Sequence, residues 1–302
     1  MTHCHFFNPK PKSSISEIQP YPIDVAIVCA VPVEYDAVRQ HLFSIGEAGW
    51  DLASIPNDGD WWTATVPFEG SGSFLRIALA KSRYMGLAAA AALATTAIHI
   101  FKPRFLVMPG ITAGRAGKTK IGDIVVPDRV WDHGEGRWAD NDGKMEFTSR
   151  AIPQSLEQEI YSWAEGVKLS TNFGKTVRAD WIALDRANKV YDPPSIHIGP
   201  AVSGAAVIDS DKYWTSMIRE KKVIGLDMEA YGFALAAKLA RGTLYGPDWI
   251  VAKSVCDFAA NKDKEAQPYA AYCSTKFVEL FLREYVMSTK RLEIRPFERF
   301  LI

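Results

Sequence analysis

Trp249-Ile250-Val251-Ala252-Lys253-Ser254-Val255-Cys256-Asp257 is an apolar, largely β-branched run that stops at an acid, and Phe258-Ala259-Ala260-Asn261 turns polar behind it. Such a run reads as a buried strand. Open α/β sheets bind ligands at the carboxyl ends of their strands, so Asp257 is a candidate acid and not merely a surface charge. The neighbouring segments fit the same picture. Val223-Ile224-Gly225-Leu226-Asp227 leads into a helix over Met228 to Ala240, and Tyr269 to Met287 has the period of an amphipathic helix.

Toward the amino terminus, Ile23 to Ala30 reads as the first strand and Val33 to Leu42 as a helix, joined by a turn at Val31-Pro32. Trp61 to Phe68 and Phe74 to Ala80 have strand character and flank Glu69-Gly70-Ser71-Gly72-Ser73, which has the residues of a hairpin turn. An alanine-rich helix covers Gly86 to His99. Arg104 to Pro109 and Ile121 to Pro127 read as strands joined by a loop through Gly110-Ile111-Thr112-Ala113-Gly114-Arg115. Ser155 to Leu169 and Thr176 to Ala187 look helical, and His197 to Val207 is a short strand running into Ile208. This alternation predicts a single-domain three-layer α/β/α sandwich around a mixed central sheet. Residues 1–20 are too polar and proline-rich to offset their ordering entropy and read as a tail, 21–288 as the folded body, and 289–302 as a second tail whose Phe297, Phe300, Leu301 and Ile302 are able to dock elsewhere.

Composition narrows the function. Acidic and basic residues balance at 35 each, which removes the field that would attract nucleic acid or an anionic membrane. The expected partner is small. No apolar run approaches the roughly 20 residues of a membrane span, and the first residues lack the order of a secretory signal, so a cytoplasmic location is expected. The four cysteines have no metal-ligand spacing and read as reduced thiols, although Cys29 and Cys256 could line a pocket. His3 and His5 make an incidental pair. His133, in Asp132-His133-Gly134-Glu135, reads as an exposed loop histidine, because the spacing is not that of a zinc helix. No Gly-x-Ser-x-Gly turn supports acyl transfer.

Three acids stand at element boundaries: Glu34 after the first strand, Glu229 at the start of the Met228 helix, and Asp257. Each has a purely structural alternative. An acid in a first helical turn complements the macrodipole by about 0.3–1 kcal/mol, and Asp257 could cap the following turn. Three carboxylates at strand ends of one sheet would instead converge on one cleft.

Five segments carry a resemblance. Ala26 to Val38 (AIVCAVPVEYDAV), Phe105 to Val126 (FLVMPGITAGRAGKTKIGDIVV), Val202 to Ile208 (VSGAAVI), Leu226 to Ala230 (LDMEA) and Lys253 to Ala259 (KSVCDFA) resemble, in order, the motifs of the nucleoside phosphorylase and nucleosidase superfamily, and within it the methylthioadenosine/adenosylhomocysteine nucleosidases. The likeness spans about residues 22 to 287. It implies that Asp257 bonds the purine N7 and protonates the leaving base, that Glu229 and Met228 hold the ribose and pack on it, and that Glu34 activates water. It also implies that Ile208 offers its backbone to the purine edge, that Val207 stands where a phenylalanine commonly stacks on the base, and that the chain forms a dimer or larger homo-oligomer.

The chemistry agrees with that set. Breaking an N-glycosidic bond builds oxocarbenium character on the sugar and negative charge on the base, so an acid, a ribose partner and a positioned nucleophile are needed. Desolvation between Cys256 and Phe258 would keep Asp257 protonated, while Glu34 must stay ionised. No metal or organic cofactor is required.

Phosphorylases of the superfamily carry arginines after the first strand and before the central loop, where this chain has Pro32-Val33-Glu34 and Met108-Pro109-Gly110. Losing those guanidinium forks argues for water over phosphate. There are departures from the nucleosidases too. Gly110-Ile111-Thr112-Ala113-Gly114 replaces Gly-Ser-Ala-Gly, leaving Thr112 as the nearby hydroxyl, and Lys253 replaces an arginine. Lys81, Arg83, Arg115 and Lys118 read as a solvated basic rim, or alternatively Arg83 and Arg115 bind a substrate phosphate. The expectation is therefore hydrolysis of the base–sugar bond of a purine, with adenine the expected base, in a nucleoside or nucleotide. A phosphate-dependent phosphorylase and a non-catalytic nucleoside sensor are the rivals.

Overall fold

Val25-Ala26-Ile27-Val28-Cys29 forms β1, and all five residues are buried. A continuous apolar run covered on both faces is what a parallel strand requires. The computed structural model describes residues 23–55, 59–67, 74–170, 172–184, 189–210, 212, 214–215, 222–241, 246–259 and 264–287. Both expected tails and the turn at 69–73 lie outside the described residues.

Pro32–His41 (α1) follows β1, with Pro32 in the first turn, where its fixed φ suits a helix and its missing N–H leaves no bond unmade. The chain continues through β2 (Asp51–Ile55), β3 (Gly59–Pro67), β4 (Phe74–Lys81), α2 (Leu87–Phe101), β5 (Phe105–Gly114), β6 (Ile124–Asp132), β7 (Gly136–Asn141), β8 (Lys144–Ser149) and β9 (Gln154–Ser155). Next come α3 (Gln158–Lys168), α4 (Asn172–Ala183), β10 (Ile196–Ser203), β11 (Gly225–Asp227), α5 (Ala230–Ala240), β12 (Asp248–Asp257) and α6 (Gln267–Phe281), which runs on into a π turn over Leu282–Met287.

The main sheet has the order β11-β10-β6-β12-β5-β1-β4-β3-β2 and is mixed. β1 lies parallel to β4 and β5, and β12 parallel to β5, whereas β12 meets β6 antiparallel. β11 also pairs with β5, so β5, β12, β6, β10 and β11 close on themselves while β1, β4, β3 and β2 form an open wing. Helices α2 and α5 pack together on one face; α1 and α6 pack together on the other, with α6 lying along β5 and β12. Trp61, Phe105, Phe233, Trp249, Phe277 and Phe281 fill the space between the layers. This is the three-layer α/β/α arrangement around a mixed sheet that the sequence predicts.

One segment reads differently and one element is new. Gly110 to Gly114 is not a loop but the second half of β5: Ile111 and Thr112 pair with Ser254 and Val255 of β12, and Ala113 pairs with Leu226 of β11. Strand partners on both sides hold extended a stretch whose two glycines read as a break. The ribbon β7–β8 was also not foreseen, and among the described residues it pairs only with itself.

Candidate active site

Glu34 is the third residue of α1, and its carboxylate turns back over the strand-to-helix turn. Oε2 accepts from the N–H groups of Ala30 at 2.7 Å and Val31 at 3.2 Å, the second being the backward half of a capping box. Oε1 accepts from the Ile111 N–H at 2.8 Å and from Lys253 Nζ at 3.2 Å. Glu34 thus caps its own helix start, beyond the macrodipole role open to any acid in a first turn, and the same side chain also reaches the centre of the sheet. Four donors fill the roughly four lone-pair positions of a carboxylate.

Lys253 is the hub. It is buried, on β12 opposite Gly110, and besides Glu34 its ammonium faces Asp227 Oδ2 at 3.8 Å and Glu229 Oε2 at 3.9 Å. Burial opposes its charge, but the three carboxylates outweigh that and raise its pKa. A Cβ at Gly110 would lie 2.1 Å from Glu34 Oε1 and 2.6 Å from Lys253 Nζ, so only glycine lets β5 pass this close to the ion pair.

Asp227 ends β11 and caps α5, accepting from the Ala230 N–H at 3.1 Å and from the Ser203 hydroxyl at 2.6 Å. Glu229 follows, buried, with Oε1 accepting from the Gly86 N–H at the start of α2 at 2.9 Å. Its pKa is raised to about 6, first by burial and then by Asp227, with Lys253 pulling the other way. Asp227 is raised too, by burial. With all three carboxylates ionised against one ammonium, the group carries two negative charges in excess.

The structure thus brings Glu34 and Glu229 together through Lys253. Asp257 stands on the same strand, four residues on at its carboxyl end, with Oδ1 accepting from the Ala259 N–H at 2.9 Å. Ile208 and Ala113 both pack against a small buried cluster that includes Ala259, and the Ser210 N–H bonds the Ala259 carbonyl. The loop after β10 therefore lies against the Asp257 turn. Val207 is exposed and Met228 half-buried. The Thr112 hydroxyl donates to the Leu226 carbonyl at 2.9 Å, and the Gly110 N–H to Ser274 Oγ, so both groups are engaged within the protein.

Arg83 and Arg115 fall on different flanks. Arg83 precedes by three residues Gly86, whose N–H bonds Glu229; Arg115 follows Ala113, the register partner of Asp257, by two. Lys81 shares the Arg83 flank and Lys118 the other. His133 is half-buried, with its ring over Gly204, where a Cβ would come 2.0 Å from Nε2, and burial lowers its pKa. It does stand in the loop after β6 as expected, but it is not exposed. Among the described residues no cluster of His, Cys, Asp and Glu could hold a metal ion, and no helix is long and apolar enough to cross a membrane. A groove of about 790 Å³ between α3, α4 and the second half of α6, floored by Trp163, Phe173 and Leu280, holds none of these residues.

The sequence reading missed Lys253 and Asp227 as members of the site. A signal existed: a lysine inside an otherwise apolar strand is costly unless paired, so Lys253 announces buried carboxylates near it.

A mixed sheet with carboxylates gathered at strand ends defines an α/β protein with a polar site within its sheet. The family model of the phosphorylase superfamily matches residues 24–292, and the chain belongs to that superfamily. Among relatives, it is 30% identical over 266 residues to "Uncharacterized protein y4jS" of Sinorhizobium fredii, covering 87% of this chain and 62% of that one. It is 25% identical over 186 residues to a "Death domain-containing ATP nucleosidase" of Amphimedon queenslandica, covering 60% of this chain and 34% of the relative. The chain thus spans less than two thirds of the length of either. The fold matches that of the 5'-methylthioadenosine/S-adenosyl homocysteine nucleosidase of Helicobacter pylori with a TM-score of 0.62 at 18% identity, over 87% of this chain and 99% of that one.

Proposed function

We propose that the chain is an N-glycosidase that hydrolyses the base–sugar bond of a purine nucleoside or nucleotide, with adenine as the expected base. The observation that carries this reading is the convergence of Glu34 and Glu229 on Lys253, on the strand that ends at Asp257. Glu229 takes the ribose hydroxyls, Met228 packs on the sugar, and Asp257 protonates the departing base. Ile208 and Val207 border the base, and Gly110 and Thr112 form the strand wall behind the sugar.

Glu34 needs a free lone pair to accept a proton from water, and in this geometry it has none. Lys253 is the donor able to yield, since its ammonium has Asp227 and Glu229 within 4 Å as other partners. With ribose on Glu229, a shift of the ammonium toward Asp227 would open Glu34 to water. The excess negative charge also opposes a phosphate nucleophile, which supports water over phosphorolysis. A phosphate on the sugar would meet Lys81 and Arg83, on the Glu229 flank, and the likeness to a protein named as an ATP nucleosidase supports a nucleotide substrate. Assembly as a homo-oligomer in the cytoplasm belongs to the same reading. The exposed apolar Trp138 and Met145 support the first and the buried free thiols Cys29, Cys256 and Cys273 the second.

The test is free base released from adenosine, methylthioadenosine, AMP and ATP, with and without phosphate, beside the Asp257→Asn protein. Phosphate-independent release that the substitution abolishes is expected. Release that requires phosphate would replace hydrolysis by phosphorolysis; ligand binding without any release would make the chain a sensor.

A further inference from the structure

The β12–β5 register slips beside Asp257. Val255 faces Thr112 and Asp257 faces Ala113, so Cys256 is the extra residue of a β-bulge. Its thiol is buried, with Sγ 3.6 Å from the Thr112 carbonyl oxygen and 3.4 Å from Asp257 Oδ2. The other carboxylate oxygen is pinned by the Ala259 N–H at 2.9 Å. Ala259 itself is fully buried with φ of 60°, a left-handed conformation that costs a non-glycine residue energy and marks a turn held by its surroundings. Asp257 is thereby fixed with one oxygen against a thiol whose single hydrogen can reach either the Thr112 carbonyl or Oδ2.

We propose that Cys256 is a positioning residue for Asp257, its hydrogen resting on the Thr112 carbonyl while the acid holds its proton and turning to Oδ2 as that proton leaves. The inference rests on the N-glycosidase reading and deepens it. An ionised carboxylate is a better acceptor than either a neutral acid or an amide carbonyl, so the bond to Oδ2 strengthens only as charge develops there. Stabilisation that grows along the reaction accelerates it, whereas equal stabilisation throughout does not. In the step itself the Asp257 proton passes to a nitrogen of the base, which receives the electron pair of the breaking glycosidic bond. The thiol keeps its own proton.

The experiment compares the full chain with Cys256→Ala and Cys256→Ser, measuring kcat for base release from pH 5 to about 9 and the melting temperature of each. Removing the donor makes ionisation of the acid harder, so in Cys256→Ala the alkaline limb should move up by about half a pH unit and the plateau should fall by roughly threefold. Serine, a stronger donor, should keep the plateau and move the limb the other way. Identical limbs and plateaus in all three proteins would overturn the proposal while leaving the hydrolase reading intact. A wild-type chain that releases no base would instead sink the reading on which it rests. If Cys256→Ala fails to fold, the direction of the serine shift decides alone.

Discussion

Lys253 carries the site, and substitutions there should show it. Lys253→Met leaves Glu34, Asp227 and Glu229 buried around a methyl group, and breaking a buried pair in this way costs about 3–5 kcal/mol. Urea unfolding at pH 8 should report that loss, and at pH 5 a smaller one, because protonated carboxylates no longer repel. Glu229 contributes its own pH dependence. Its pKa is raised from 4.5 to about 6, so the folded chain binds its proton more tightly than the unfolded chain does. The stability this supplies is complete below about 4.5 and is lost as pH rises through 6, amounting to roughly 2 kcal/mol. Glu229→Gln should flatten that part of the stability profile; an unchanged slope would place the proton elsewhere. If nucleotides are the substrates, Arg83→Glu should weaken the preference for AMP over adenosine at least tenfold and Arg115→Glu should not, read from kcat/KM ratios. Equal effects would put the phosphate between the two flanks.

Elements hold these residues in place. Ser274 of α6 accepts from the Gly110 N–H at 2.7 Å and donates to the Ala252 carbonyl at 2.7 Å, tying β5 and β12 together behind the Glu34–Lys253 pair. Ser274→Ala orphans a buried N–H, and about 1–3 kcal/mol of stability should be lost, with kcat falling as Gly110 relaxes. Denaturant unfolding and base release together check this; loss of stability with kcat intact would separate the tie from the chemistry. Much of this layer was legible in the sequence, because continuous apolar runs such as Val25–Cys29 and Trp249–Cys256 dictate buried strands and Pro32 dictates a helix start. Glu34, Glu229 and Asp257 could be picked out because their motifs and places at element ends are local. The convergence on Lys253 was not, since it joins residues more than 200 positions apart through pairings that periodicity does not encode. Gly110–Gly114 was misread because its extension comes from neighbours on both sides. The ribbon had a signal that went unused: Asp142 and Gly143 both have positive φ, as a tight hairpin turn requires, and Asp-Gly is the dipeptide that favours it.

Across the whole molecule, burial and pairing are unequal, and hydrogen exchange should resolve the difference. β12 pairs with strands on both sides and has eight of its ten residues buried, so its amides should exchange only through global unfolding. The β7–β8 ribbon is the opposite case. Among the described residues it has no third strand, and Trp138, Met145 and Phe147 share one of its faces, with the Trp138 and Phe147 rings 5.1 Å apart and Trp138 largely exposed. A lone two-stranded ribbon is marginal in water, so its amides should exchange at least about a hundredfold faster than those of β12. That contrast is expected of a dilute single chain. In a homo-oligomer that buries the Trp138 face, ribbon protection must instead rise with protein concentration, in step with the mass seen by sedimentation, and Trp138→Ser should abolish both. Protection that is high and independent of concentration would mean that the chain's own surface covers the ribbon.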